Sequence, residues 1–254
     1  MKAYSKEFYT NRHEKTIHSA NTILSIVLER IPAVHSAVDI GCGVGTWLSV
    51  LQEKGVKEIK GFDGNWVNPD LLTIPQTCFE QVDLAKSMII LPQRYDLALS
   101  LEVAEHLACD RATDFVSCLT ALSDHVLFSA AIPRQGGRNH VNEQWQHYWV
   151  ELFGAMNYAV HDFIRAAIWN DKRIPFWYRQ NVLFFSKEQG SKDIPLNSIF
   201  DNCSLPLDLV HPELYMIKAN ALMRVMSSFK LFSKSFIRNM AKKFHKDSVR
   251  AGRC

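Results

Sequence analysis

Val38-Asp39-Ile40-Gly41-Cys42-Gly43-Val44-Gly45-Thr46-Trp47 is the stretch on which the fold turns. An apolar run from Ala37 to Ile40 breaks at three glycines. A helical pattern from Thr46 to Lys54 follows and stops at Gly55. The order is strand, glycine turn, helix. Glycines at such a turn remove side chains where a ligand approaches the backbone, and the following helix presents free N–H groups to that ligand. The spacing is Gly-x-Gly-x-Gly rather than the dinucleotide fingerprint Gly-x-Gly-x-x-Gly, which argues against a nicotinamide dehydrogenase. A pyrophosphate needs a helix N-terminus aimed at it. Asp39, inside the strand beside the loop, suits a ligand that carries an ammonium group.

Outward from this turn the same alternation continues. Glu58 to Phe62 reads as a second strand ending at Asp63-Gly64, and Cys78 to Val82 as a third ending at Asp83. Tyr95 to Leu101 and His125 to Ile132 read as a fourth and fifth, with a helix over Ala104 to Ser123 between them. Another helix starts near Asn142, and strands over Tyr158 to Ile164 and Val182 to Phe185 complete the core. Arg12 to Arg30 has helical periodicity and precedes the first strand. Strands alternating with helices predict an α/β domain with a mainly parallel sheet.

Asp63 lies 22 positions beyond Gly41, where a carboxylate can accept hydrogen bonds from both hydroxyls of a ribose. Asp83 ends the next strand on the same edge and can take the exocyclic amine of an adenine. Each aspartate alone reads equally well as a turn or cap residue. Three of them at the ends of successive strands mark the edge where open α/β sheets bind ligands.

Asp39-Ile40-Gly41-Cys42-Gly43-Val44-Gly45 matches the first motif of the class I S-adenosylmethionine-dependent methyltransferases, and Asp63 and Asp83 match their ribose-side and adenine-side residues. The chain resembles that class over roughly residues 12–186. The resemblance implies a Rossmann-like, doubly wound, mainly parallel seven-stranded sheet with flanking helices and one antiparallel strand near the edge. It also implies S-adenosylmethionine as cofactor, with Asp39, Gly41, Gly43, Asp63, Asp83, Leu84 and Ser100 on the cofactor side.

A second constellation follows the fourth strand. Glu102, Glu105 and His106 stand at i, i+3 and i+4, so a helix beginning here would put all three on one face. Carboxylates and imidazoles converging at a ligand edge bind divalent cations, although acidic residues at a helix N-terminus are also favoured by the dipole alone. The polar loop from Pro133 to Trp145 leaves the same edge and carries His140, a candidate fourth ligand. Glu-x-x-Glu-His with a later His is similar to the metal site of small-RNA 2′-O-methyltransferases. Glu-Val-x-Glu-His-Leu is similar to the ubiquinone-biosynthesis O-methyltransferases. These resemblances imply Mg²⁺ or Mn²⁺ on Glu102, Glu105, His106 and His140, with the two histidines beside the reacting hydroxyl. His147 is a candidate general base, and a solvent-facing histidine is its plain alternative.

Asn139-His140-Val141-Asn142-Glu143-Gln144-Trp145 departs from the RNA enzymes' loop. Together with Ile168-Trp169-Asn170-Asp171 and Trp177-Tyr178-Arg179-Gln180-Asn181 it resembles methyltransferases encoded with sugar- and polysaccharide-tailoring enzymes. The expectation is therefore O-methylation of a sugar, sugar nucleotide or similar small molecule. RNA 2′-O-methylation and a non-catalytic, cofactor-binding partner subunit are the alternatives. Trp169, Trp177 and Tyr178 read either as a sugar-facing aromatic surface or as core.

The chain has 254 residues, 47% of them hydrophobic and 22% charged, which excludes disordered and fibrous classes. Its six cysteines form no Cys-x-x-Cys pair and read as reduced, mostly buried thiols. No apolar run approaches the ~18–20 residues that span a bilayer, and Met1 to Glu7 lacks a signal-peptide stretch, so a cytoplasmic protein is expected. The domains expected are 1–188 (catalytic), 189–217 (linker) and 218–254 (a basic amphipathic helix). Residues 1–217 carry 19 basic and 25 acidic groups, and residues 218–254 carry ten basic groups and one acid. From Ala219 to Phe244 apolar residues recur at helical spacing. Such a segment packs on the core or a second copy, or lies on an anionic membrane; nucleic-acid binding is the weakest of these readings.

Overall fold

The computed structural model describes residues 6–31, 33–87, 89, 91–187 and 206–223, with side chains from Glu14 onward. Helix α1 (Lys6–Leu28) precedes β1 (Ser36–Ile40), α2 (Thr46–Glu53), β2 (Glu58–Asp63), β3 (Phe79–Gln81) and β4 (Leu97–Leu101). Then come α3 (Ala112–Leu122), β5 (His125–Ser129), α4 (Gln146–Ala155), β6 (Tyr158–His161), α5 (Phe163–Ile168), α6 (Phe176–Asn181) and β7 (Leu183–Lys187). The seven strands form one sheet in the order β3-β2-β1-β4-β5-β7-β6. All neighbours are parallel except β7, which runs antiparallel to both β5 and β6. This is the doubly wound, mainly parallel sheet the glycine turn predicts, with its topological switch between β1 and β4.

The central strands β1, β4, β5 and β7 are buried on both faces, and alternate residues serve different cores. Leu97, Leu99, Leu127 and Phe184 pack with α1, α2, α5 and α6 on one side. Val38, Ile40, Ala98, Val126, Phe128 and Phe185 pack with α3 and α4 on the other. Phe153 stacks on Phe185 with ring centroids 3.9 Å apart.

Three elements differ from expectation. The helix expected over Ala104 to Ser123 is α-helical only over Ala112–Leu122, and Ala104–His106 is a single 3-10 turn. Two amides of the later loop, Val141 and Asn142, donate to the Glu105 carbonyl, which takes it out of a helical ladder. Glu102 itself has φ 58, and its N–H still reaches the Ser129 carbonyl on β5 at 2.9 Å. The helix expected near Asn142 begins at Gln146, where Asp208 Oδ1 accepts the His147 N–H at 3.0 Å. The strand expected over Tyr158 to Ile164 ends at His161. Beyond it the Asp162 carboxylate holds the fully buried Arg165 guanidinium, and α5 starts.

Trp177 and Tyr178 lie on α6. Tyr178 is buried edge-on against Trp47 of α2, with centroids 5.4 Å apart, so its ring belongs to the core. Of the four described cysteines, Cys42 and Cys118 are buried and Cys109 is exposed.

The chain divides into two compact units, 1–209 and 210–254. The first unit reclaims part of the expected linker. The Leu207 carbonyl accepts from Arg165, Asp208 meets His147, and the Leu209 carbonyl accepts from Gln146. In the second unit residues 212–223 are helical, starting at Pro212, a residue suited to the first helical turn. The remainder of the basic segment, 224–254, lies outside the described residues.

Candidate active site

The turn after β1 carries three glycines with positive φ: Gly41 at 86°, Gly43 at 57° and Gly45 at 85°. Side chains rarely adopt these angles. A Cβ on Gly41 would also lie 2.3 Å from Val103 Cγ2, so the glycine turn and the loop after β4 are in contact. Over Gly43 nothing lies within 4 Å. That space is open to a ligand along the backbone.

Asp63 fastens this turn to the end of β2. Its Oδ2 accepts the Gly43 N–H at 2.7 Å and its Oδ1 the Gly64 N–H at 2.6 Å. The Trp66 indole, itself exposed, adds a third hydrogen bond. A carboxylate has about four acceptor positions, so acceptor capacity is left for a ligand hydroxyl. Burial nevertheless pushes the Asp63 carboxyl above its usual range. Asp39 is fully buried in β1. Burial, and then the Asp63 charge, hold its carboxyl well above the usual range. Two carboxylates beside one open backbone turn invite a cation.

The other cofactor-side residues are placed differently. Asp83 lies two residues beyond β3, paired with Lys86 at 2.9 Å and accepting the Ala85 N–H. Leu84 packs into the apolar cluster on the α3/α4 side. Ser100 is fully buried in β4, and its hydroxyl has no hydrogen-bond partner.

At the ends of β4 and β5 the structure gathers three donors. Single ligand atoms of Glu105, His106 and His140 lie within 4.8 Å of one another. The two imidazoles meet edge to face, with centroids 4.8 Å apart. His140 Nε2 is 4.0 Å from Glu105 Oε1. Glu105 is 0% exposed; its carboxylate oxygens make no hydrogen bond of ordinary geometry, and the Glu105 and Ala131 amides and the Glu102 carboxyl are the polar groups beside them. Burial, and then the adjacent Glu102 charge, push its carboxyl well up.

The backs of both imidazoles are anchored. His106 Nδ1 lies 3.3 Å from the Asn139 carbonyl and His140 Nδ1 lies 3.0 Å from Glu143 Oε1. In a neutral ring so held, Nδ1 is the proton-bearing nitrogen and Nε2 the one that can ligate. Glu143 is itself fixed by the Arg134 and Gly136 amides at 2.6 and 2.7 Å. An orphaned buried carboxylate facing two oriented imidazoles fits a divalent cation.

Glu102 lies outside this trio of donors. Its oxygens accept from Asn181 Nδ2 at 3.0 Å and Gln135 Nε2 at 3.1 Å, and Gln135 is held in turn by Gln180 at 2.9 Å. His147 is also outside it, half-exposed and paired with Asp208 at 2.5 Å. The sequence reading missed Glu143 as the partner of His140 and missed the Gln135, Gln180 and Asn181 amides as the seat of Glu102. A run of amides just before an apolar strand was the available signal.

Gly137 makes the trio sterically feasible, because a Cβ there would fall 2.1 Å from His140 Nε2. Gly137→Ala is expected to displace that ring and lower activity by about 10–100-fold, as loss of a metal-site support does. The melting temperature should stay near wild type. Equal turnover by the variant would show that the ring position is immaterial.

Sheet, glycine turn and acidic strand ends define a cofactor-binding α/β enzyme domain. The model of the methyltransferase domain family matches residues 12–170, and the chain belongs to that family. It is a class I methyltransferase, a class whose methyl donor is S-adenosylmethionine. DesVI from Streptomyces venezuelae is similar at TM-score 0.53 and 14% identity, covering 71% of this chain and 95% of that one. A SAM-dependent methyltransferase from Archaeoglobus fulgidus is similar at TM-score 0.51 and 15% identity, covering 72% and 100%. These two show the fold. Magnesium protoporphyrin IX methyltransferase from Synechocystis is similar at TM-score 0.48 and 18% identity, covering 69% and 79%. No curated protein matches the chain.

Proposed function

We propose that this protein transfers a methyl group from S-adenosylmethionine to a hydroxyl of a sugar, sugar nucleotide or related polyol, with a divalent cation held by Glu105, His106 and His140. The observation that carries the reading is Glu105: a buried carboxylate with both oxygens unpartnered, facing an imidazole whose other nitrogen is fixed by Glu143. When bound, a cation at such a site holds an acceptor oxygen and lowers the pKa of its hydroxyl. Two imidazoles and one carboxylate suit Mn²⁺ better than Mg²⁺, which prefers oxygen donors.

The chain's own residues do the rest. Asp39 faces the donor's ammonium group, the open backbone at Gly43 admits the donor, and Asp63 takes its ribose hydroxyls. Asn139 and Glu143 hold the two imidazoles in one tautomer. Glu102 is seated on the Asn181 and Gln135 amides beside the trio. Positioning of donor and acceptor accounts for most of the rate expected of such a site. The acidic excess of residues 1–217 supports a small acceptor over a polyanion such as RNA.

The test is elemental analysis of the purified protein, with methyl transfer to sugars, sugar nucleotides and RNA oligonucleotides measured with and without EDTA. Bound metal, EDTA-sensitive transfer to a sugar hydroxyl and recovery with Mn²⁺ are expected. Undiminished turnover by verified metal-free protein would remove the cation. Transfer to oligonucleotides alone would replace the acceptor.

A further inference from the structure

We infer that the second unit docks this enzyme on an anionic lipid surface. Along helix 212–223, Tyr215, Met216, Ile217, Leu222 and Met223 are exposed, each by about half or more. A helix of a soluble domain normally turns such side chains inward, and a contiguous exposed apolar surface marks an interaction site. The sequence carries the pattern on, with Met226, Phe229, Phe236, Met240 and Phe244 at helical spacing. Ten basic groups and one acid occupy residues 218–254, whereas residues 1–217 are acidic on balance. Apolar side chains among cations are the two halves of interfacial binding: burial at the acyl boundary and attraction to anionic headgroups.

Charge decides among occupants. A second copy of this segment would bring ten like charges against ten, which opposes a self-interface. A nucleic acid would answer the charge and leave the methionines, leucine and tyrosine in water. Only an anionic bilayer answers both. The contact is peripheral, since no helix among the described residues is long and apolar enough to cross a membrane.

Sedimentation of the full chain with sucrose-loaded vesicles tests this. Vesicles of phosphatidylcholine with about a quarter phosphatidylglycerol should carry the protein down, pure phosphatidylcholine should not, and added salt should weaken the effect. The double variant Leu222→Glu, Met223→Glu should lose about tenfold or more in partitioning, with donor binding by calorimetry unchanged. Three results would each overturn the proposal: no sedimentation with anionic vesicles, equal sedimentation with neutral ones, or unaltered binding by the variant. Displacement from vesicles by a low concentration of single-stranded oligonucleotide would assign the surface to nucleic acid instead. Loss of a dimer in the variant, without any lipid effect, would assign it to a second copy.

Discussion

If the proposed cation site is occupied, Glu105→Ala is expected to empty it and to lower methyl transfer by more than about a hundredfold, since even the residues that support a metal ligand are worth about 10–100-fold. Glu143→Gln, which keeps the size and loses the charge behind His140, should fall inside that range. The fold should survive both changes. The Glu105 carboxylate makes no hydrogen bond of ordinary geometry, and its burial penalises the charged form. Its folded-state pKa is raised, so its contribution to stability is fully present below the unfolded value, about 4.3, and is lost as pH rises through the folded value. Glu105→Gln removes that loss. In metal-free protein at mildly alkaline pH the glutamine variant should therefore melt at or above wild type while being inactive. A carboxylate kept for packing alone would give the reverse: a lower melting temperature with activity spared. A site that costs stability when empty and confers activity when filled is the pattern expected of a functional group.

The sheet was legible because apolar runs of strand length recurred along the chain. The first, second, third and fifth ended in Gly, Asp or Pro, and burial on both faces made the central runs continuous, as parallel strands require. All seven strands appear where Ala37, Glu58, Cys78, Tyr95, His125, Tyr158 and Val182 announced them, give or take a few residues at each end. The errors lie where tertiary bonds override local pattern. Residues 102–111 have helical spacing, yet the Glu105 carbonyl is engaged by amides nearly forty positions away. Spacing cannot report such a bond. The start of α4 depends likewise on Asp208, some sixty residues downstream.

The candidate site was legible in its parts and not in its arrangement. Glu105, His106 and His140 carry chemistry whatever the backbone does, so residue type and a shared strand edge sufficed to nominate them. The helical-face argument that joined Glu102 to them failed with the helix itself. At φ 58 Glu102 turns instead onto Asn181 and Gln135. His147 looked like a base because a helix was expected to begin before it. With α4 starting at Gln146 it sits on the first turn, against Asp208. Gly137 could be read only as a flexible loop residue until the His140 ring was seen to fold over it.

Donor binding is expected to strengthen as pH rises, through Asp39. Burial and the neighbouring Asp63 keep the Asp39 carboxyl well above its usual range, so its protonated form, which offers nothing to an ammonium group, persists to higher pH than in a free carboxyl. Ionised, it gains a buried ionic partner, worth about 1.5–3 kcal/mol for a charged hydrogen bond or roughly 10–100-fold in affinity. S-adenosylmethionine titrated by calorimetry from about pH 5 to 8 should bind progressively tighter, releasing a proton as it does. Without donor the sign reverses. The raised pKa means that the Asp39 contribution to stability is complete below about 3.9 and disappears as pH rises through the folded value. The melting-temperature increment given by the donor should accordingly widen with pH. Glu102 and Glu105 are raised as well and add their own slope to the donor-free curve, so the curve alone does not identify Asp39. The variant Asp39→Asn does. It keeps the shape, loses the titration, and should show both weaker binding and an affinity nearly flat with pH. The Glu102 and Glu105 slope should remain intact. An asparagine variant whose affinity still rose with pH would move the effect to Asp63, the one other raised carboxyl beside the glycine turn.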